Sequence, residues 1–159
     1  MIEEYDNEKY KDLENVENLF KRINCFGDEY NYCFGASVPQ SVLSITLLSM
    51  GGAVGGLIEA NRQKNKLNGF LVNKNEKEIC LIPLVLDSKR VMQIDIDGYI
   101  DIKNENIESV KIKSVDFSWK KVTITLNDQK KYVMHVAKKI KGFDYHKGNF
   151  QKFMDIYGK

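Results

Sequence analysis

Two histidines, three cysteines and three closely spaced aspartates are the residues of this 159-residue chain whose types could support catalysis or hold a metal. His135 falls in an alternating apolar–polar run, and His146 lies just ahead of an amphipathic segment. Neither has a second ligand at the spacing that puts two side chains on one helical face, as HExxH does. Cys25, Cys33 and Cys80 are far apart and form no CxxC pair, so neither a zinc ribbon nor a dithiol redox motif is expected. Cys33 and Cys80 sit in apolar, strand-like surroundings, where an unpaired cysteine serves as a small hydrophobe. Asp95, Asp97 and Asp101 resemble the start of a calcium loop, but apolar residues interrupt them and the later glutamate such a loop demands is missing; they read as turn and solvent-face residues. There is no Gly-x-Ser-x-Gly elbow and no local Cys–His pairing. The expectation is a chain with no catalytic residue, no cofactor and no metal.

The stretch "LLSMGGAVGGLIEA", residues 47–60, asks a different question. As a phosphate loop it lacks both G-x-x-x-x-G-K-[ST] and G-x-G-x-x-G. As a membrane span it is short: the apolar run of residues 42–58 would make roughly 26 Å of helix against about 30 Å of hydrocarbon. As a helix of small residues it has a rationale, because Gly51 and Gly55, like Gly52 and Gly56, stand four apart and make a flat strip that another backbone can approach. Glycine costs up to about 1 kcal/mol in a helix interior, so four of them require a compensating contact. The rest of the chain, a second copy, or lipid would each supply it. Arg62, Lys64 and Lys66 follow directly, a basic flank of the kind that favours anionic lipid by roughly 1 kcal/mol per charge.

Net charge is only +2, too small on its own to imply a polyanionic partner, and nucleic acid is not expected. The distribution is uneven: residues 1–36 carry nine acids against four bases, and residues 109–159 four acids against twelve bases. A basic C-terminal third can face phosphate or a lipid surface, or simply solvent. The start "MIEEYDNEKY" is acidic and polar, unlike an export signal, and an odd number of cysteines points to reduced thiols and a cytoplasmic setting, with peripheral contact to the inner membrane face left open.

The elements follow from periodicity. Tyr10, Leu13, Val16, Leu19, Phe20 and Ile23 recur at helical spacing, predicting an amphipathic helix over 6–23 within an N-terminal segment 1–28 that Gly27 closes. Residues 29–38, "EYNYCFGASV", read as a strand. Residues 70–72 and 79–86 are apolar runs around the polar turn "NKNEK". "VMQIDIDGYIDIKN" alternates and contains Asp97-Gly98, a strong turn signal. "IESVKIKSV" sets Val110 and Ile112 opposite Lys111 and Lys113; "KKVTITLND" sets Val122, Ile124 and Leu126 opposite Thr123 and Thr125; "KKYVMHVAKK" sets Tyr132, Met134 and Val136 opposite Val133, His135 and Ala137. Phe150, Phe153, Met154 and Tyr157 give a final helix with an aromatic face. Strands at about ten-residue spacing argue for an antiparallel meander, closed or nearly closed. The single Trp119 starts a strand beside Lys120 and Lys121, where it can anchor at an interface or cover one end of the sheet.

About seven strands and a C-terminal helix resemble the pleckstrin-homology-like family in its bacterial branch. The likeness rests on "GFLVNKNEKEICLIPL" for the second and third strands, "IESVKIKS" for an Ile-x-Ser-Val strand, "KKVTITLNDQKKYVMHVAKK" for the last hairpin and "NFQKFMDIYG" for the plugging helix. It implies a mainly β (α+β) fold: an antiparallel barrel or sandwich over residues 29–159 with a capping helix, preceded by the N-terminal helix. The glycine-rich segment becomes a helical insertion, residues 40–66, between the first and second strands. The resemblance implies a non-catalytic module that binds a protein partner or a second copy of itself. The alternative is a peripheral module contacting anionic lipid through residues 42–58 and their basic flank, and a third reading is a small-molecule or peptide binder at the open end of the barrel. Lipid-binding relatives place lysines and arginines on the first two strands; here the first strand has none and the second offers only Lys74. Contact residues expected for lipid or partner are Gly51, Gly52, Gly55, Gly56, Arg62, Lys64, Lys66 and Trp119.

Overall fold

Strands that alternate and strands that are apolar throughout end up in different surroundings. The computed structural model describes residues 2–38 and 66–158. Its elements are β1 (Ile2–Glu4), a 3-10 turn (Lys9–Lys11), α1 (Leu13–Arg22), β2 (Asn31–Ser37), β3 (Lys66–Asn75), β4 (Glu78–Leu86), β5 (Met92–Asp95) and β6 (Ile100–Lys103). A second 3-10 turn (Asn104–Asn106) leads to β7 (Ile107–Ser114), β8 (Trp119–Leu126), β9 (Lys131–Ala137) and α2 (Asp144–Tyr157). The strands form an open antiparallel sheet in the order β1-β5-β4-β3-β2-β9-β8-β7, with β6 also on β4.

β2 is the joint. It pairs with β3 from Asn31↔Asn75 to Ser37↔Gly69, yet meets β9 at a single position, Ser37↔His135. The sheet therefore bends there, and its two halves enclose one interior. Phe34, Val72, Leu81 and Ile102 enter from the N-terminal half, and Val122, Ile124, Met134 and Val136 from the other. The aromatic face of α2 closes this interior, with the Phe150 and Phe153 rings 5.1 and 5.0 Å from Phe34. Each such fully buried side chain contributes roughly 1.5–3 kcal/mol. Gly69 allows β3 its tight passage past β2: a Cβ there would run into the Ala36 carbonyl oxygen.

The N-terminal half has a second core on its outer face. Val16, Leu19 and Phe20 of α1, with Tyr10, pack on Leu71, Cys80, Ile82, Leu84 and Ile94. β4 is thus buried on both faces, which is why its sequence reads as an unbroken apolar run. Asp12 caps α1 by accepting the Glu14 N–H at 3.0 Å, so the helix starts at Leu13 rather than at residue 6.

Further expectations are corrected. Among the described residues the sheet is open, and it has nine strands rather than about seven, β1 being an addition and β5 and β6 together taking the place of one strand. "NKNEK" is not all turn. Asn73 and Asn75 are fully buried in β3, where their amides donate to the Cys25 carbonyl at 2.9 and 3.2 Å; only Glu76 and Lys77 make the bend. Asp97-Gly98 is the turn its sequence signals, but the strands on either side of it do not pair with each other. β5 pairs with Leu84–Leu86 and β6 with Glu78–Leu81, so both run the same way along one edge of β4, interrupted opposite Pro83, which has no N–H to give. Asp95 at that interruption is buried and accepts the Gly98 N–H at 3.1 Å, so it is no solvent-face residue. His146 lies inside α2, not ahead of it. The expected helical insertion falls on residues outside the described ones, apart from Lys66, the first residue of β3.

Candidate functional site

An open, mainly apolar groove of about 470 Å³ runs along the outer face of the sheet where α1 does not reach. Its floor is Gly35, Ser37, Asn68, Leu71, Leu84 and Met92, contributed by β2, β3, β4 and β5. Tyr5 and Asn7 form one wall, the connection Lys139, Ile140, Lys141 and Phe143 with Tyr145 the other, and Trp119 and Ala137 the far end. The floor is open because β2 carries no side chain at Gly35: a Cβ there would meet nothing within 4 Å. Tyr145 holds the wall by donating its hydroxyl to the Tyr10 carbonyl at 2.8 Å.

His146, at the bottom of the groove, is 1% exposed. Its Nδ1 accepts the Gly35 N–H at 3.3 Å, and its Nε2 faces the Ala137 carbonyl oxygen and donates to it. Both ring nitrogens are thereby used on backbone, and burial lowers its affinity for a proton. The groove contains no carboxylate among its described lining residues, so the histidine has no acid–base partner there. His135, on β9, is half-buried beside Lys121; burial first, then that lysine, lower its proton affinity.

Of the residues expected from the sequence to make contacts, Trp119 lines this groove. Gly51, Gly52, Gly55, Gly56, Arg62 and Lys64 lie outside the described residues, as does the Lys66 side chain. The two ends of their segment are nonetheless placed: the Val38 N–H donates to the Asn68 carbonyl at 2.9 Å, and Ser37 and Asn68 both line the groove. The insertion leaves and rejoins the sheet at the rim that also holds Trp119. Periodicity could not reveal this, since it depends on the bend at β2. Lys74 is buried inside the sheet; its ammonium donates to Asn104 Oδ1 at 2.9 Å and lies 5.8 Å from the Tyr157 ring, and burial lowers its basicity. Its burial puts it out of reach of a phosphate at the surface.

A second cluster was not legible at all. Cys25, Glu78 and Asp101 place one sulfur and two carboxylates within 4.8 Å of one another. The cation this cluster already gathers is the Lys103 ammonium, 2.7 Å from Glu78 and 3.0 Å from Asp101. Burial would raise Glu78, but hydrogen bonds with Asp101, Lys103 and Asn75 outweigh it and hold its carboxyl below the usual range, while burial and Glu78 raise Asp101. The hydrogen bond with Cys25, then burial, push the Cys80 thiol far up, and burial does the same for Cys33; both are protonated and unreactive. A divalent ion would have to displace Lys103, and the arrangement is a sheet-edge ion pair closed over by buried polar groups.

Large apolar side chains are exposed beside the groove: Phe117 is 96% exposed, Val115 49% and Ile140 37%. The turn carrying the first two sits against the β9–α2 connection, with the Lys138 N–H donating to the Ser118 carbonyl at 2.8 Å. Among the described residues, no helix is long and apolar enough to cross a membrane. No protein-family model, curated protein or solved structure matches this chain.

Proposed function

We propose that the protein is a non-catalytic interaction module with a pleckstrin-homology-like architecture, which takes an apolar segment of a second copy or of another protein into the groove beside Trp119. Counting β5 and β6 as one interrupted strand, β2 to β9 and α2 follow the seven-strand-and-helix order of that family. The observation that carries the binding role is the groove itself. It is preformed, lined by aromatic and aliphatic side chains with a few polar groups, and of a size that holds one or two apolar anchors. Its buried histidine is occupied by backbone on both ring nitrogens, which suits holding rather than proton transfer.

The test fills the groove without touching the core. Gly35→Leu projects into open space. If the partner is a second copy, wild-type protein sediments as a dimer and the variant as a monomer. If it is another chain, quantitative comparison of proteins retained by wild type and variant shows selective loss. A variant with unchanged mass and unchanged partners, still folded by circular dichroism, rules the groove out as the contact.

A second reading has its own observation. Phe117 and Val115 stand exposed at a hairpin tip flanked by Lys113, Lys120 and Lys121, the combination that inserts at an anionic bilayer surface. Co-sedimentation with phosphatidylserine vesicles that Phe117→Ser abolishes would support it; no sedimentation at low salt would remove it.

A further inference from the structure

The outer face of β7, β8 and β9 has no covering layer among the described residues, and its register puts like charges together. Across the three strands Lys111 faces Thr123 and Val133; Lys113 faces Lys121 and His135; Thr125 lies between Ser109 and Lys131. Directly opposed like charges destabilise a ladder, yet Lys113 and Lys121 are so opposed, with His135 completing the row. None of the ammonium groups of Lys111, Lys113, Lys121 and Lys131 has an ion-pair partner within 4.0 Å among the described residues. These four lysines, with Thr123, Thr125 and Val133, line one shallow basin of about 310 Å³. A neighbouring cleft that holds Lys120, Lys138 and Lys147 also contains Asp155 and is partly neutralised by it.

We propose that this basin binds a small, multiply phosphorylated solute. Adjacent strands lie about 4.8 Å apart, so four ammonium groups within three strands can meet several phosphate oxygens at once. Lysine suits this chemistry as a set of point charges, each free to turn toward a different phosphate oxygen. The threonine hydroxyls between the lysines supply neutral donors. The basin shares β8 and β9 with the far end of the groove but none of its lining residues, and it does not depend on the role proposed for the groove.

The probe is inorganic tripolyphosphate, titrated into the full-length protein at low salt and followed by amide chemical shifts. Saturable shifts confined to β7, β8 and β9 are expected, with affinity falling steeply as salt rises. Lys111→Gln with Lys121→Gln should weaken binding by roughly tenfold or more, while Gly35→Leu and Phe117→Ser leave it unchanged. Both substituted lysines are exposed, so the loss comes without any fall in melting temperature in the absence of the probe. Three outcomes overturn the proposal: no shifts at low salt, shifts that survive the double lysine variant, or binding of anionic vesicles or a DNA duplex that tripolyphosphate fails to compete.

Discussion

The two halves of the sheet are built from similar strands and treated in opposite ways. In the half formed by β1, β5, β4, β3 and β2, the outer face is covered by α1 and Tyr10, and the strands under the helix carry Leu71, Cys80, Ile82 and Leu84. In the half formed by β9, β8 and β7, the outer face has no covering layer among the described residues and carries lysines and threonines at the same alternate positions. The first half uses its second face for stability. The second has no covering layer among the described residues and accepts an unfavourable Lys113–Lys121 pairing on that face.

The largest way to probe this contrast is to remove the covering layer. Phe20 is fully buried on α1, and Phe20→Ala should lower stability by about 3–5 kcal/mol. Urea denaturation measures it, and a dye that binds exposed apolar surface should report the uncovered sheet. A loss below about 1 kcal/mol would mean α1 is an appendage.

At the edge of the same half, Lys103→Met leaves Glu78 and Asp101 facing each other without their cation. Glu78 is 3% exposed but Lys103 47%, so the loss should fall short of the 3–5 kcal/mol of a fully buried pair and reach about 2 kcal/mol. It should shrink as pH falls, because burial and Glu78 raise Asp101, which takes up a proton and relieves the repulsion in the variant. Melts at pH 7 and about pH 4 test both size and sign.

His146 bridges the halves through Gly35 of β2 and Ala137 of β9. Its proton affinity is lowered in the fold, so the unfolded chain binds the proton more tightly. Stability should therefore fall as pH drops below about 6.5, with a slope approaching roughly 1.4 kcal/mol per pH unit. His146→Gln, a neutral side chain with one donor and one acceptor, should flatten that slope. An unchanged slope would assign it to other groups.

The smallest effect is the most pointed. Lys121→Thr should raise stability by about 0.2–1 kcal/mol by removing the opposed like charge, and thermal denaturation at low salt should show the gain vanishing at high salt. A loss of stability would mean the lysine stems on this face do structural work.

Much of this contrast was legible in the chain. "EICLIPLVL" is continuous because both its faces are buried, and "VTITL" alternates because one is not. The final helix and the last three strands followed from spacing alone. What escaped reading depends on partners distant in sequence. β1 is three residues long and has no periodicity to detect. Asn73 and Asn75 looked like turn residues because their acceptor, the Cys25 carbonyl, is 48 and 50 positions away. Asp95 looked solvent-facing because its donor sits in a turn that interrupts a strand rather than reversing it. Lysines 111 and 113 were correctly set opposite the apolar face, but their convergence with Lys121 and Lys131 needs the register. The groove needs the bend at β2, and Gly35, its open floor, carries no signal of its own in "NYCFGAS".

The most direct measurement compares the same change on the two outer faces: chemical denaturation of Ile82→Asp and Thr123→Asp. Ile82 is fully buried under α1, so an aspartate there should cost about 4 kcal/mol or more. At Thr123, among the lysines, it should alter stability by no more than about 1 kcal/mol. Comparable losses at both positions would contradict the division of the sheet into a covered half and a free one.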